Sequence, residues 1–178
     1  MATTSPIARL AALLATSNAE PEITAERLVP STLYDLDYRV VIVAAAFQMH
    51  AVADRFSPRP RIQNTRLKLL QFVAMRPWLL PTIRHWSANR GDSLRLIDGE
   101  EGLRKGFMTD TMHDKVMQFI AASGALRREE VYVVPGIKPD VLQGLRSVAE
   151  SNSLFRSEIA ALSEMLSITV TNDMLEGW

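Results

Sequence analysis

A mainly α-helical chain with a small β-wing, winged-helix-like and extended by further helices at both ends, is the fold class this sequence predicts. Three observations carry that expectation. Apolar residues recur at helical spacing through a long stretch from residue 33 to 55. Residues 109–134 read as a helix, a glycine stop and a two-stranded hairpin. Strand-like runs outside that hairpin are few and short.

Taken in order, the chain opens with an apolar stretch over residues 7–14, begun by Ser5 or Pro6, and a polar passage holding Pro21. This reads as a short helix and a loop. Thr32 can cap a long helix over residues 33–55, whose inner positions include Tyr38, Val41, Ile42, Ala45, Met49 and Val52. Its middle, residues 40–47, is apolar almost all round, so it is either buried on several sides or meets another chain. The run Ser57-Pro58-Arg59-Pro60 is a stop, because proline removes a donor and restricts the residue before it. A third helix is then expected over residues 61–75, with Ile62, Leu67, Leu69, Leu70, Phe72 and Val73 inside and Arg61, Arg66 and Lys68 outside. Pro77 ends it, and a short helix follows in which Trp78 and Trp86 are both expected to fill core space. Residues 87–105 hold Gly91, Gly99 and Gly102 among charges, and read as a connection whose strand-like residues 94–97 supply a third strand for the wing.

Thr109 and Asp110 offer side-chain oxygens to the free amides of the next helix, which buries Met112, Val116, Phe119 and Ile120. Gly124 can take the left-handed conformation that closes it. Residues 125–127 and 131–134 flank the polar turn Arg128-Glu129-Glu130. Pro135-Gly136 makes a turn, and Pro139 suits the first turn of a helix buried through Val141, Leu142, Leu145 and Val148. Ser153 is expected to cap a last helix built on Leu154, Phe155, Ile159, Leu162 and Leu166, with Met165 as a further candidate and Glu158 as an acidic neighbour. Residues 168–170 can add a strand to a sheet edge, and Trp178 can anchor a partner. The organisation is thus an N-terminal helix and loop over residues 1–31, a winged-helix-like core over 32–136, and C-terminal helices with a tail over 137–178.

Composition removes several chemistries. With 178 residues and 47% of them apolar, the chain can bury one full core. It has no cysteine, hence no disulfide, thiolate nucleophile or cysteine-based metal site. His50, His85 and His113 stand on separate elements without a ligand partner at i+3 or i+4, so no metal site is expected. In Gly99-Glu100-Glu101-Gly102 two acids stand where a phosphate would have to sit, and no cofactor site is expected either. Glu100-Glu101 and Glu129-Glu130 lie in polar turns, where solvation accounts for them better than acid–base catalysis. No serine sits in a nucleophile elbow. The chain is therefore read as not an enzyme. Neither a secretory signal nor a membrane-spanning run is expected, since residues 40–47 are far fewer than the ~20 a bilayer requires. The expectation is a cytoplasmic protein with no membrane partner.

Charge is distributed unevenly. The formal net charge is zero, but residues 55–105 hold eleven basic and four acidic residues, against six basic and ten acidic in residues 106–178. The basic segment suits nucleic acid or an acidic protein face, and equally a solvated helix surface. Its candidates for DNA-backbone contact are Arg59, Arg61, Arg66, Lys68, Arg104 and Lys105. A DNA-reading helix carries Arg, Lys, Asn or Gln toward the bases. The helix after Thr109 instead presents Asp110, Thr111, His113, Asp114, Lys115 and Gln118, with His113 and Asp114 both read as solvent-facing. Two acids against one base would bring negative charge to the phosphates. The helix therefore reads as protein-facing, with Asp110, His113, Asp114, Gln118 and Trp178 as docking candidates.

The basic leucine-rich helix TRLKLLQFVAMRPWLLPTI upstream of the helix and wing TDTMHDKVMQFIAASGALRREEVYVV resembles the small middle component of bacterial ABC-three-component defence systems, as in the Lamassu type, over residues 33–135. That resemblance implies a non-enzymatic antiviral-defence subunit that bridges an SMC-like ATPase of the Rad50 kind and an effector nuclease. It would restrain the effector until foreign DNA is sensed, with DNA reached through the assembled complex. The family supplies no catalytic residue to place. Two alternatives stay open: a winged-helix DNA-binding transcription regulator, and an antitoxin-like inhibitor.

Overall fold

The longest helix, α1 (Thr32–Ala53), organises the fold. The computed structural model describes residues 32–54, 59–89 and 98–176; the apolar stretch 7–14, Ser57 and Pro58, the strand expected at 94–97 and Trp178 lie outside the described residues. Every residue from Val40 to Phe47 is essentially withdrawn from solvent, because α1 packs against four other helices of its own chain. The all-round apolar character is thus satisfied within the chain. The segment Asp35–Ala53 is long and apolar enough to cross a membrane by length and composition, and this internal packing accounts for that hydropathy.

After α1 come β1 (Ile62–Gln63), α2 (Asn64–Ala74), a 3-10 turn (Pro77–Leu79), α3 (Leu80–Ala88), α4 (Asp98–Thr109) and α5 (Met112–Ser123). The hairpin β2 (Leu126–Glu129) and β3 (Tyr132–Pro135) follows, then α6 (Pro139–Ser151), a 3-10 turn (Ser153–Phe155), α7 (Arg156–Ser167) and α8 (Asn172–Glu176). The fold is mainly helical with a three-stranded antiparallel sheet of order β1-β3-β2. Ile62 pairs with Val133 and Leu126 with Pro135. Ile62, Leu126 and Val133 all face the core. Gly124 closes α5 at φ 80°, as expected from the sequence. The hairpin turns at Glu130, which takes φ 53° without being glycine.

Several expectations are corrected. The third strand is Ile62–Gln63, from the region read as the start of a helix; two residues are too few to show a strand period. The stretch read as a connection up to Lys105 contains α4, despite Gly99, Gly102 and Gly106. Acids precede bases along α4, which suits the helix dipole. Gly106 lets α2 come close, since a Cβ there would stand 3.3 Å from the Phe72 ring, and Phe72 meets Phe107 edge-on at 5.8 Å. Thr109 ends α4 and does not begin α5: its hydroxyl donates to the Lys105 carbonyl at 2.8 Å.

Trp86 is buried beside Leu80 and Ile83 on one face of α3, but Trp78 is 66% exposed. It sits in the 3-10 turn that Pro77 opens, off the face that α3 buries. Asn152, not Ser153, supplies the cap, and it caps the 3-10 turn that leads into α7 by accepting from the Leu154 N–H at 2.9 Å. Residues 168–170 form no strand; they link α7 to α8, with Val170 and Leu175 buried. The Thr169 carbonyl there accepts the Ser87 hydroxyl at 2.5 Å. Tyr38 stacks on Phe155 at 4.7 Å and donates its hydroxyl to the Leu154 carbonyl, which fixes the C-terminal helices to α1.

Candidate functional site

Two residues, Asp110 and Thr111, join α4 to α5, and Asp110 is committed inside the fold. Its Oδ1 accepts the Met112 N–H at 3.0 Å, a local turn that leads into the new helix. Its Oδ2 lies 3.5 Å from Arg39 Nη1 and 4.0 Å from Arg76 Nη1. Arg39 also donates Nε to both oxygens of Asp35, at 3.0 and 3.1 Å. The Arg76 guanidinium rests 4.1 Å over the Phe72 ring and donates to the Phe72 carbonyl. Burial pulls Arg76 below its ordinary pKa, with Asp110 opposing that shift. Asp110 therefore ties α1 and the end of α2 to the start of α5, and its expected role as a free docking carboxylate is corrected.

This separates two neighbouring acids. Asp110→Lys is expected to destabilise the fold by about 2–3 kcal/mol, because it removes the acceptor of the Met112 N–H and sets a third cation beside two arginines. Asp114 is exposed, so Asp114→Lys should change stability by less than about 0.5 kcal/mol. Urea unfolding of the two variants checks the contrast.

His113 is also corrected: it is 1% exposed, held between α5 and α2. Its Nδ1 lies 2.5 Å from Gln71 Oε1 and its Nε2 3.2 Å from Asn64 Oδ1. Adjacent helical residues point in different directions, so Asp114 is outside while His113 is inside. Burial holds the imidazole pKa down at about 4; Asp114 and Asp110 raise it, and Lys68 and Arg128 lower it. At neutral pH the ring is uncharged and carries one N–H, so it can donate to only one amide oxygen. Turning the Gln71 amide about its terminal bond puts Nε2–H on His113 Nδ1 and leaves the ring N–H for Asn64. That arrangement also supplies a partner for Gln71 Nε2, a buried nitrogen that otherwise has none. The sequence signal was Asn64 and Gln71 one heptad apart on a single helix, a polar seam inside an apolar face.

With Asp110 and His113 turned inward, the exposed residues of α5 include Thr111 at its cap, Asp114, Lys115, Gln118, Ala121 and Ala122. This face carries one acid and one base. On the β2–β3 hairpin, Arg127 pairs with Glu129 at 2.6 Å and Arg128 Nε donates to the Glu130 carbonyl.

The basic candidates do not form one stripe. Arg59, Arg104 and Lys105 are exposed. Arg61 lies 4.7 Å over the Tyr132 ring at the sheet, and Lys68 Nζ lies 4.9 Å over the Phe107 ring of α4. Arg66, two residues from Lys68 and so on another side of α2, lines a cleft with residues 166–171. Lys68, Arg104 and Lys105 are thus associated with α4, apart from Arg61 and Arg66. Among the described residues no group of three histidine, cysteine or acidic side chains could hold a metal ion.

No family model, curated protein or solved structure matches this chain.

Proposed function

We propose that the protein is a non-catalytic adaptor with a winged-helix-like core, and that the outward side of α5 docks a partner protein. The observation that carries this reading is the polar, uncharged-overall face of Asp114, Lys115 and Gln118, backed by the buried His113 and the Asp110 ion pairs. The order helix, strand, helices, hairpin, with β3 between β1 and β2, is the layout expected of a winged helix. In a winged helix of that layout α5 would be the recognition helix. Its face offers phosphates no net positive charge, which disfavours groove binding by this helix alone.

The resemblance read in the sequence extends the proposal to a bridging subunit of a Lamassu-type antiviral defence complex, between an SMC-like ATPase and an effector nuclease. DNA would be reached through the assembly, with Lys68, Arg104 and Lys105 nearest to the backbone. Co-expression with the products of the neighbouring genes tests this. Co-elution with an ATPase bearing long coiled coils is expected. Elution of the chain alone, with such an ATPase present and folded, would overturn the bridging role.

A second reading, a winged-helix DNA-binding regulator, gains from the neutralisation of Asp110, which removes one of the two acids counted against it. It requires the isolated protein to bind a short duplex with affinity that falls steeply as salt rises. The adaptor reading predicts weak binding and a shallow slope.

A further inference from the structure

Arg66 differs from the other basic residues of its segment in what surrounds it. It lines a cleft of about 420 Å³ whose other wall is residues 166–171, the link between α7 and α8. That volume lies within the range of small-ligand sites. Burial pulls the Arg66 guanidinium below its ordinary pKa, and Asp54, which does not line the cleft, opposes the shift through space. Yet among the described residues no carboxylate or carbonyl accepts a hydrogen bond from it. Five N–H donors on a partly desolvated planar cation are seldom left so, and their fork suits an oxyanion. His50 does not line the cleft; its pKa is lowered by burial and then by Arg66, and its ring hydrogen-bonds to the Arg61 backbone.

The facing wall has matching chemistry. The Ser167 hydroxyl is committed to the Glu164 carbonyl. Thr171 Oγ1 accepts the Met174 N–H, which leaves its own hydrogen to donate. Thr169 uses its carbonyl on Ser87 and keeps its hydroxyl. Leu166 and Ile168 add apolar side chains to the lining. We propose that this cleft binds a small phosphorylated ligand, with the phosphate on Arg66, Thr169 and Thr171 and the uncharged part against Leu166 and Ile168. The site is separate from α5 and does not depend on the adaptor reading.

The test is binding of inorganic phosphate and of adenosine monophosphate to the full chain, followed by phosphorus NMR line broadening and thermal shift, with acetate as a carboxylate control. Saturable binding is expected, tighter for the nucleotide. Arg66→Gln should weaken it at least about tenfold, as expected for loss of a charge-assisted fork. Arg66→Lys should fall between, and Arg156→Gln, exposed and outside the cleft, should leave it unchanged. Should Arg66→Gln fail to fold by circular dichroism, Thr169→Val carries the test and must weaken phosphate binding. Absence of saturation, equal loss in Arg156→Gln, undiminished binding in the cleft variants, or equal competition by acetate would each overturn the proposal.

Discussion

Replacing Gly136 by alanine is expected to destabilise the protein by about 3 kcal/mol, more than the same change at Gly106, Gly124 or Gly144. A Cβ at this position would run into the carbonyl carbon and oxygen of Gly124 and the carbonyl carbon of Ala125. These are backbone atoms, so no side-chain rotation relieves the clash. They lie so close because the chain leaving the hairpin is bonded back onto the end of α5: Gly136 N–H donates to Ala125 O at 2.9 Å and Lys138 N–H to Gly124 O at 2.9 Å. Relief means lengthening both bonds and lifting β3 from the helix end. Urea unfolding should show a lower midpoint with an unchanged slope. A loss below about 1 kcal/mol would mean that this approach is looser than described. Gly144, by contrast, has open space around it, so Gly144→Ala should be stabilising by about 1 kcal/mol, the helix-propensity difference.

Stability should also fall as pH drops from about 6.5 to about 4, and His113 should account for most of the loss. Its folded pKa of about 4 lies below the ordinary 6.5, so within that window the unfolded chain binds more protons than the folded one. The stability is therefore present above pH 6.5 and lost as pH falls through the folded value, to a limit of about 3 kcal/mol. The groups that act on the ring come from several elements: Asp110 just before α5 and Asp114 on it, Lys68 on α2, and Arg128 on β2. His50 is shifted in the same direction by burial and adds to the slope. Asp37 is raised by burial and acts in the opposite sense. In His113→Gln, which keeps a donor and an acceptor but does not titrate, the profile should flatten across this window. A slope equal to that of the parent protein would remove His113 as its source.

The elements that were legible in the sequence are those whose signal is local. Thr32 to Ala53 shows as a long periodic run, Gly124 as a stop, and Pro139 as a helix start, and each lies where local rules put it. What was not legible depends on partners distant in the chain. Ile62 joins a sheet only because Val133 lies beside it. The α4 helix hides behind three glycines, and one of them, Gly106, is there to admit Phe72. Asp110 and His113 look like surface residues in a polar sequence, and only Arg39, Arg76, Gln71 and Asn64, at least 34 residues away, show that they face inward. Two of the four docking candidates on or beside α5 were lost this way, while Asp114 and Gln118 remain exposed. Arg66 was read as one of a row of surface cations, and its separate setting appeared only when the C-terminal segment folded across it.

The most direct test of the adaptor account is the affinity of the Asp114→Lys/Gln118→Ala double variant for the protein that co-elutes with the parent chain, measured alongside its urea stability. The account predicts binding weakened at least about tenfold with stability unchanged within about 0.5 kcal/mol. Full affinity in a folded double variant would contradict it and would place the partner on another face.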